Sequence, residues 1–270
     1  MSDTDNVVHM AYLFNNLREP VVLSAIQALQ LPSGSRGLDA GCSIGLQAIV
    51  LAETVGPAGH ITGLDLSPEL LIYAEDIVKK AGLSERVSFQ EGDVNNLPFD
   101  DDTFDWAWSM DLVGYAPFAP LPALQELTRV VKPGGKMAIL AWSHETLLPG
   151  YPVLEARLRA TAAGISPFIA GENPELHFSR ALGWFREAGL QESMARTFAG
   201  DAYAPLSDND RGALLALFQM RWPDVESELS EKDWAEFQRL CLPESADFIL
   251  DHPDYYAFFT YSMFHGVVSS

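Results

Sequence analysis

The chain has 270 residues and a mass of 29.7 kDa, and its 17 Lys+Arg against 37 Asp+Glu give a formal charge of −20. Hydrophobic residues make up 48% of it, enough apolar material for one large domain, or one domain plus a cap, which excludes disorder as the main state. So acidic a surface repels phosphate backbones and anionic lipid headgroups, and no basic cluster exceeds Lys79-Lys80, so neither nucleic acid nor a membrane is an expected partner.

Apolar side chains recur at helical intervals from His9 to Leu31, with Pro20 as the one interruption, and the spacing predicts two helices meeting near that proline. From Ser35 the pattern changes to short apolar runs alternating with amphipathic segments, the signature of βαβ units and a parallel sheet. Strands are expected at 36–40, 60–66, 86–91, 103–109 and 136–142. Ser67 and Pro68 form the N-cap and first position of the helix after the second strand. Lys132-Pro133-Gly134-Gly135 stops the helix before the fifth strand. After Trp142 about 35 residues lose this regularity, which suits a lid or cap. A helix over 179–188, a sixth strand at 190–199, helices over 208–222 and 230–240 and a last strand at 255–268 complete the expectation. The fold class is therefore α/β, a doubly wound, mostly parallel seven-stranded sheet with helical cap insertions. Its divisions are 1–34 (N-terminal helices), 35–144 (ligand-binding core) and 145–270 (cap helices plus the last strands).

The informative stretch is Leu38-Asp39-Ala40-Gly41-Cys42-Ser43-Ile44-Gly45, followed by Asp65 at the end of the second strand. Small residues at such a turn let backbone approach a ligand closely, and the following helix presents free N–H groups. An acid at the tip of the next strand is where a ribose diol is held. Gly41, Asp65, Asp93 and Asp111 all fall at carboxyl ends of strands, where doubly wound sheets bind ligands. Cys42 and Cys241 fit neither a disulfide framework nor zinc-ligand spacing, and Asp100-Asp101-Asp102 reads as a solvated turn, so no metal is expected. Met1-Ser-Asp-Thr-Asp carries no basic, apolar leader, and no apolar run reaches 18 residues, which together read as cytoplasmic.

Residues 36–142 resemble the class I S-adenosylmethionine-dependent methyltransferases, particularly the small-molecule branch that includes the ubiquinone and menaquinone C-methyltransferases. The first stretch is similar to that family's glycine-rich motif, Gly63-Leu64-Asp65-Leu66-Ser67 to its ribose-binding segment, and Glu91-Gly92-Asp93-Val94 to its adenine-binding segment. Leu97-Pro98-Phe99-Asp100, Thr103-Phe104-Asp105-Trp106 and the run from Leu124 to Gly135 are similar to its later segments. The resemblance implies a Rossmann-like methyltransferase fold and S-adenosylmethionine as cofactor. Asp39 and the Gly41 backbone would face the methionine amino end, with Cys42, Ser43, Gly45 and Ser109 around it. Asp65 would hold the ribose, Leu66 would pack on adenine, and Asp93 with the Val94 N–H would read the adenine edge. Ser43 departs from the family's usual glycine and is expected to fit with a negative φ. Tyr12 and Arg18 are candidates for the cofactor carboxylate.

The implied activity is methyl transfer to a small, apolar or amphipathic acceptor by in-line attack, with Asp111 or His144 as general base where the acceptor must lose a proton. His177, His252, His265 and Tyr115 are weaker candidates, and the aromatics Trp184, Phe218, Trp222 and Trp234 fit either an acceptor pocket or the cap's own core. Three other readings stand beside it: a catalytically silent cofactor-binding module, an NAD-dependent oxidoreductase, and a serine hydrolase with Ser43 on a nucleophile elbow and His252 or His265 as base.

Overall fold

The computed structural model describes residues 3–114, 119–165 and 173–269. Helix α1 (Asp3–Leu29) opens the chain and runs unbroken through Pro20, where two helices are expected. Proline removes the one bond its N–H would give the Asn16 carbonyl, while Leu17, Val21, Val22, Ala25 and Ile26 on both sides of it are buried. The Ser24 hydroxyl donates to the Pro20 carbonyl at 2.8 Å. Packing on both flanks outweighs the lost bond.

The chain then alternates β1 (Arg36–Ala40), α2 (Leu46–Val55), β2 (His60–Asp65), α3 (Pro68–Lys80), β3 (Val87–Glu91), β4 (Phe104–Met110), α4 (Pro120–Val130) and β5 (Val131–Thr146). Ser67 caps α3 through the Leu70 N–H with Pro68 in its first turn, as the sequence indicates. There follow α5 (Pro152–Arg159), α6 (Ala162–Ile165), α7 (Ala181–Glu187), β6 (Leu190–Tyr203), α8 (Asp208–Arg221), α9 (Glu231–Cys241) and β7 (Tyr256–Val268).

The seven strands form one sheet in the order β3-β2-β1-β4-β5-β7-β6, parallel except for β7, which is antiparallel to both neighbours. Two apolar cores cover its faces. One gathers α1, α2, α8 and α9 around Trp106, Trp108, Trp142 and Tyr261; the other gathers α4 and α7 around Leu38, Ala107 and Ile139. β5 and β6 run past Trp142 and Ala199 to Thr146 and Tyr203, because β7 keeps pairing with both as far as Phe258 and Tyr256. This long antiparallel ribbon rises beyond the carboxyl edge of the parallel strands, with α1 packed on β6 and α8 packed on α1. Among the described residues no helix is long and apolar enough to cross a membrane.

Candidate active site

The turn after β1 is built on left-handed backbone: Gly41 has φ 79°, Ser43 φ 49° and Gly45 φ 76°. Ser43 therefore does not keep the negative φ expected of it. A small polar residue tolerates this region at modest cost, and the conformation aims the Ser43 N–H at Asp65 Oδ2, 2.8 Å away. Asp65 Oδ1 accepts from the Ser67 N–H at 3.0 Å, so one carboxylate ties the first turn to the cap of α3. The Gly41 and Cys42 N–H groups both donate to the Leu64 carbonyl, at 2.8 and 3.0 Å. A Cβ at Gly41 would sit 2.7 Å from the Leu112 side chain, so glycine is what lets the loop after β4 lie on this turn.

Asp39 lies beneath the turn, 2% exposed, and its Oδ2 has no hydrogen-bond partner among the described residues. Burial, and next the charge of Asp65, push its carboxyl up to about 7. Cys42 is buried beside both acids and its thiol is pushed up, first by burial, so it stays protonated and is no nucleophile. Ser109, on β4 opposite Ala40, also has a buried hydroxyl without a partner. Leu66 is 68% exposed at the rim, Val94 is buried, and Asp93 accepts from the Asn95 N–H and side-chain amide, both at 2.9 Å.

Asp111 follows β4 at φ 49° and lines a cavity of about 480 Å³, within the usual range of about 300–1,000 Å³ for ligand pockets. Its Oδ1 accepts from the Trp142 N–H at 2.9 Å and its Oδ2 from the Tyr261 hydroxyl at 3.1 Å. Arg18 Nη1 stands 3.8 Å from Oδ2. Burial raises the Asp111 carboxyl, against the opposing pull of Arg18, these two hydrogen bonds and Arg221. Tyr261 is pushed far up by burial and next by Asp111, and remains a donor. Phe14, Leu217 and Met220 supply apolar wall. Arg221 reaches the cavity from α8, gripped by Glu145 through bonds of 2.6 and 3.0 Å, with both side chains buried.

The structure separates the two α1 candidates. Arg18 faces Asp111, whereas Tyr12 is 46% exposed and lines another cavity with Leu46 and Asn209. His144 is exposed on β5; its Nε2 lies 3.3 Å from Arg159, and burial and then the Arg159 charge hold it below the ordinary histidine range. It is not among the residues lining the Asp111 cavity. His177 bonds Ser179, and Tyr115 lies outside the described residues. Trp184, Phe218 and Trp222 belong to the cores, and Trp234 stacks on Phe237. His265 is in mid-strand three strands from β1, about 14 Å away by strand spacing, and His252 accepts from the Asp254 N–H. Neither orients Ser43.

Sequence reasoning missed Tyr261, Trp142 and Arg221 as parts of this cavity. Arg221 left a signal, a charge four residues beyond Leu217 on the apolar stripe of α8. Tyr261 left none, being one of several aromatics in the last strand.

The sequence profile of a methyltransferase-domain family matches residues 31–180. The chain is 37% identical over 127 residues to a demethylmenaquinone methyltransferase of Bacillus cytotoxicus, a match covering 46% of this chain and 51% of that one. It is 33% identical over 192 residues to a 2-phytyl-1,4-naphtoquinone methyltransferase of Nostoc punctiforme, covering 68% of this chain and 80% of that one. The chain thus spans about half the length of the Bacillus relative. In fold it is similar to a SAM dependent methyltransferase of Aquifex aeolicus, with a TM-score of 0.53, 19% identity, and coverage of 97% of this chain and 99% of the other. With the profile covering more than half of its length, the chain belongs to the class I S-adenosylmethionine-dependent methyltransferases.

Proposed function

We propose that the protein transfers a methyl group from S-adenosylmethionine to a small acceptor held in the Asp111 cavity. One observation carries this reading: Leu112 lies on Gly41 while its neighbour Asp111 lines the cavity, so one loop touches the cofactor turn with one residue and the acceptor wall with the residue before it.

The residues present fit the cofactor. The buried, unpartnered Asp39 Oδ2 is a natural seat for a cationic amino group, and Asp65 stands at the rim with lone pairs left for a diol. Leu66, Asp93 and the Val94 N–H, just past the ends of β2 and β3, are the groups we assign to the base. When bound, the cofactor supplies a methyl group already activated by the sulfonium charge. The protein's task is alignment, a contribution of up to about 7–11 kcal/mol. Asp111 is the group we assign to accept a proton where the acceptor has one to lose. The apolar wall of Phe14, Leu217 and Met220 suits an apolar or amphipathic acceptor, a chemistry in keeping with relatives named for naphthoquinone substrates.

Calorimetric titration with S-adenosylhomocysteine, with NAD in parallel, tests the cofactor assignment. Micromolar binding of the first alone is the expected result. Asp65→Ala should weaken it by about 1.5–3 kcal/mol, the worth of a charge-assisted hydrogen bond. Unchanged affinity in a variant that melts like the wild type would overturn the placement of the ribose.

A further inference from the structure

We propose that β6 is a dimer edge: the β6 of a second copy of this chain pairs antiparallel with it about a two-fold axis through Ala199, and the sheet continues from one molecule into the next. None of the paired residues lines the Asp111 cavity, so the pairing is separate from the methyl transfer.

Among the described residues β6 has β7 on one side and no strand on the other, so alternate N–H and C=O groups face outward along the free side. Proteins guard such an edge with brevity, lysine, proline or a bulge. β6 has 14 residues and no lysine, and Pro205 comes only after the strand has ended. Its one register irregularity lies between Gln191 and Met194, where Glu192 takes φ 49°, and from Met194 onward the ladder to β7 is regular. That regular stretch is also the neutral part of an acidic molecule. Arg196 and Asp201 are its only charges, on a chain of −20.

Side-chain size selects a second copy as the occupant. In a two-fold pairing residue i of one copy meets j of the other while j meets i, so the strand must complement its own reverse. One row of β6 packs toward α1: Phe198 and Ala202 are buried there, and a Cβ on Gly200 would meet Val21 of α1 and the Phe259 ring of β7, 2.6 and 2.5 Å away. Arg196 shares that row, 4.9 Å over the Phe198 ring. The row thus reads Arg196, Phe198, Gly200, Ala202, two large residues and then two small ones. The other row, Ala195, Thr197, Ala199, Asp201 and Tyr203, is exposed throughout.

With the axis at Ala199, Phe198 lies opposite Gly200 of the partner subunit and Arg196 opposite the partner's Ala202. On the exposed side Tyr203 lies opposite the partner's Ala195, and Thr197 opposite the partner's Asp201, whose carboxylate can accept from the threonine hydroxyl. Every large side chain meets a small one, and no like charges face each other. Moving the axis by one residue sets Phe198 on its own copy in one direction and Gly200 on its own copy in the other. Opposed over 195–203, the two strands offer about eight to ten inter-strand hydrogen bonds, the number a standard interface carries.

Sedimentation velocity on the full chain tests the pairing, over about 1–100 μM and in about 0.15 M salt, where repulsion between the acidic copies is screened beyond roughly 8 Å. The expected result is a concentration-dependent passage from 29.7 kDa to twice that mass. Ala199→Lys, at an exposed position, sets two ammonium groups against each other on the axis; it should weaken association roughly hundredfold while melting like the wild type. Cross-linking reads the register. Ala199→Cys should be joined to its partner by a short thiol cross-linker, because opposed Cβ atoms lie about 4.5–5.5 Å apart. Ala195→Cys should not, since its two copies would sit about 27 Å apart along the strands. The native Cys42 and Cys241 are buried and give no background. A monomer at every concentration, a dimer that Ala199→Lys leaves intact, or a failure of Ala199→Cys to link would overturn the proposal.

Discussion

A carboxyl that is 2% exposed with one oxygen unanswered is unfavourable as an anion, and Asp39 is such a group until a cation meets it. Its folded pKa, about 7, lies above the ordinary value of 3.8, so the folded chain holds this proton more tightly than the unfolded one. Stability from this source is fully present below about 4 and is lost as pH rises through 7. Asp39→Asn should therefore melt several degrees above the wild type at pH 8 in the absence of ligand, and level with it near pH 4. The same variant should bind S-adenosylhomocysteine at least tenfold more weakly. Melting curves at the two pH values, with a titration alongside, check both; equal melting at pH 8 would mean that Asp39 is solvated. Asp39, Asp65 and Asp111 are legible in the sequence because each ends a short apolar run. The Arg18–Asp111–Tyr261 grouping is not, since the Tyr261 hydroxyl comes to Asp111 from 150 residues away in sequence.

At the scale of elements, the Glu145–Arg221 pair joins β5 to α8, with both side chains nearly out of solvent and Arg221 5.6 Å over the Trp142 ring. Removing one partner strands a buried charge. Glu145→Ala should cost about 3–5 kcal/mol in urea unfolding, whereas replacing both residues with apolar ones of similar size should restore most of it. Equal losses in the single and double variants would show that packing, not charge, holds this contact. Pro20 makes the opposite case. Because α1 continues through it, Pro20→Ala can regain the bond to the Asn16 carbonyl and should stabilise the fold by about 1–3 kcal/mol, read from the same denaturation. A proline in an apolar 3.6-residue pattern reads as a break, and its surroundings decide otherwise. The lengths of β5 and β6 were hidden for a related reason: each is extended by a partner, β7, that lies far along the chain.

For the whole molecule, a charge of −20 on 270 residues means that self-repulsion opposes the compact state. Ionic strength should relieve it, so the melting temperature should rise by a few degrees between low salt and about 0.15 M, where the screening length shrinks to roughly 8 Å. A flat response would mean that the acids in excess of the bases lie too far apart to repel one another. The parallel half of the sheet was legible because strands and helices alternate with turn residues at each boundary, a local signal. The Asp111 cavity was not, because it is assembled from α1, the loop after β4, β5, α6, α8 and β7, which only the tertiary fold brings together.

The strand order also fixes a sequence of events during synthesis. Among the described residues β6 has a single neighbour, β7, and β7 leaves the ribosome after it. At about 5–20 residues per second, the stretch from Tyr203 to Val268 keeps β6 waiting for several seconds with both edges bare. Until then β5 also lacks its outer partner, and the Tyr261 hydroxyl has not reached Asp111. Translation thus closes the sheet and completes the cavity wall in one late step, and a nascent chain stalled before β7 is the species a chaperone should recognise.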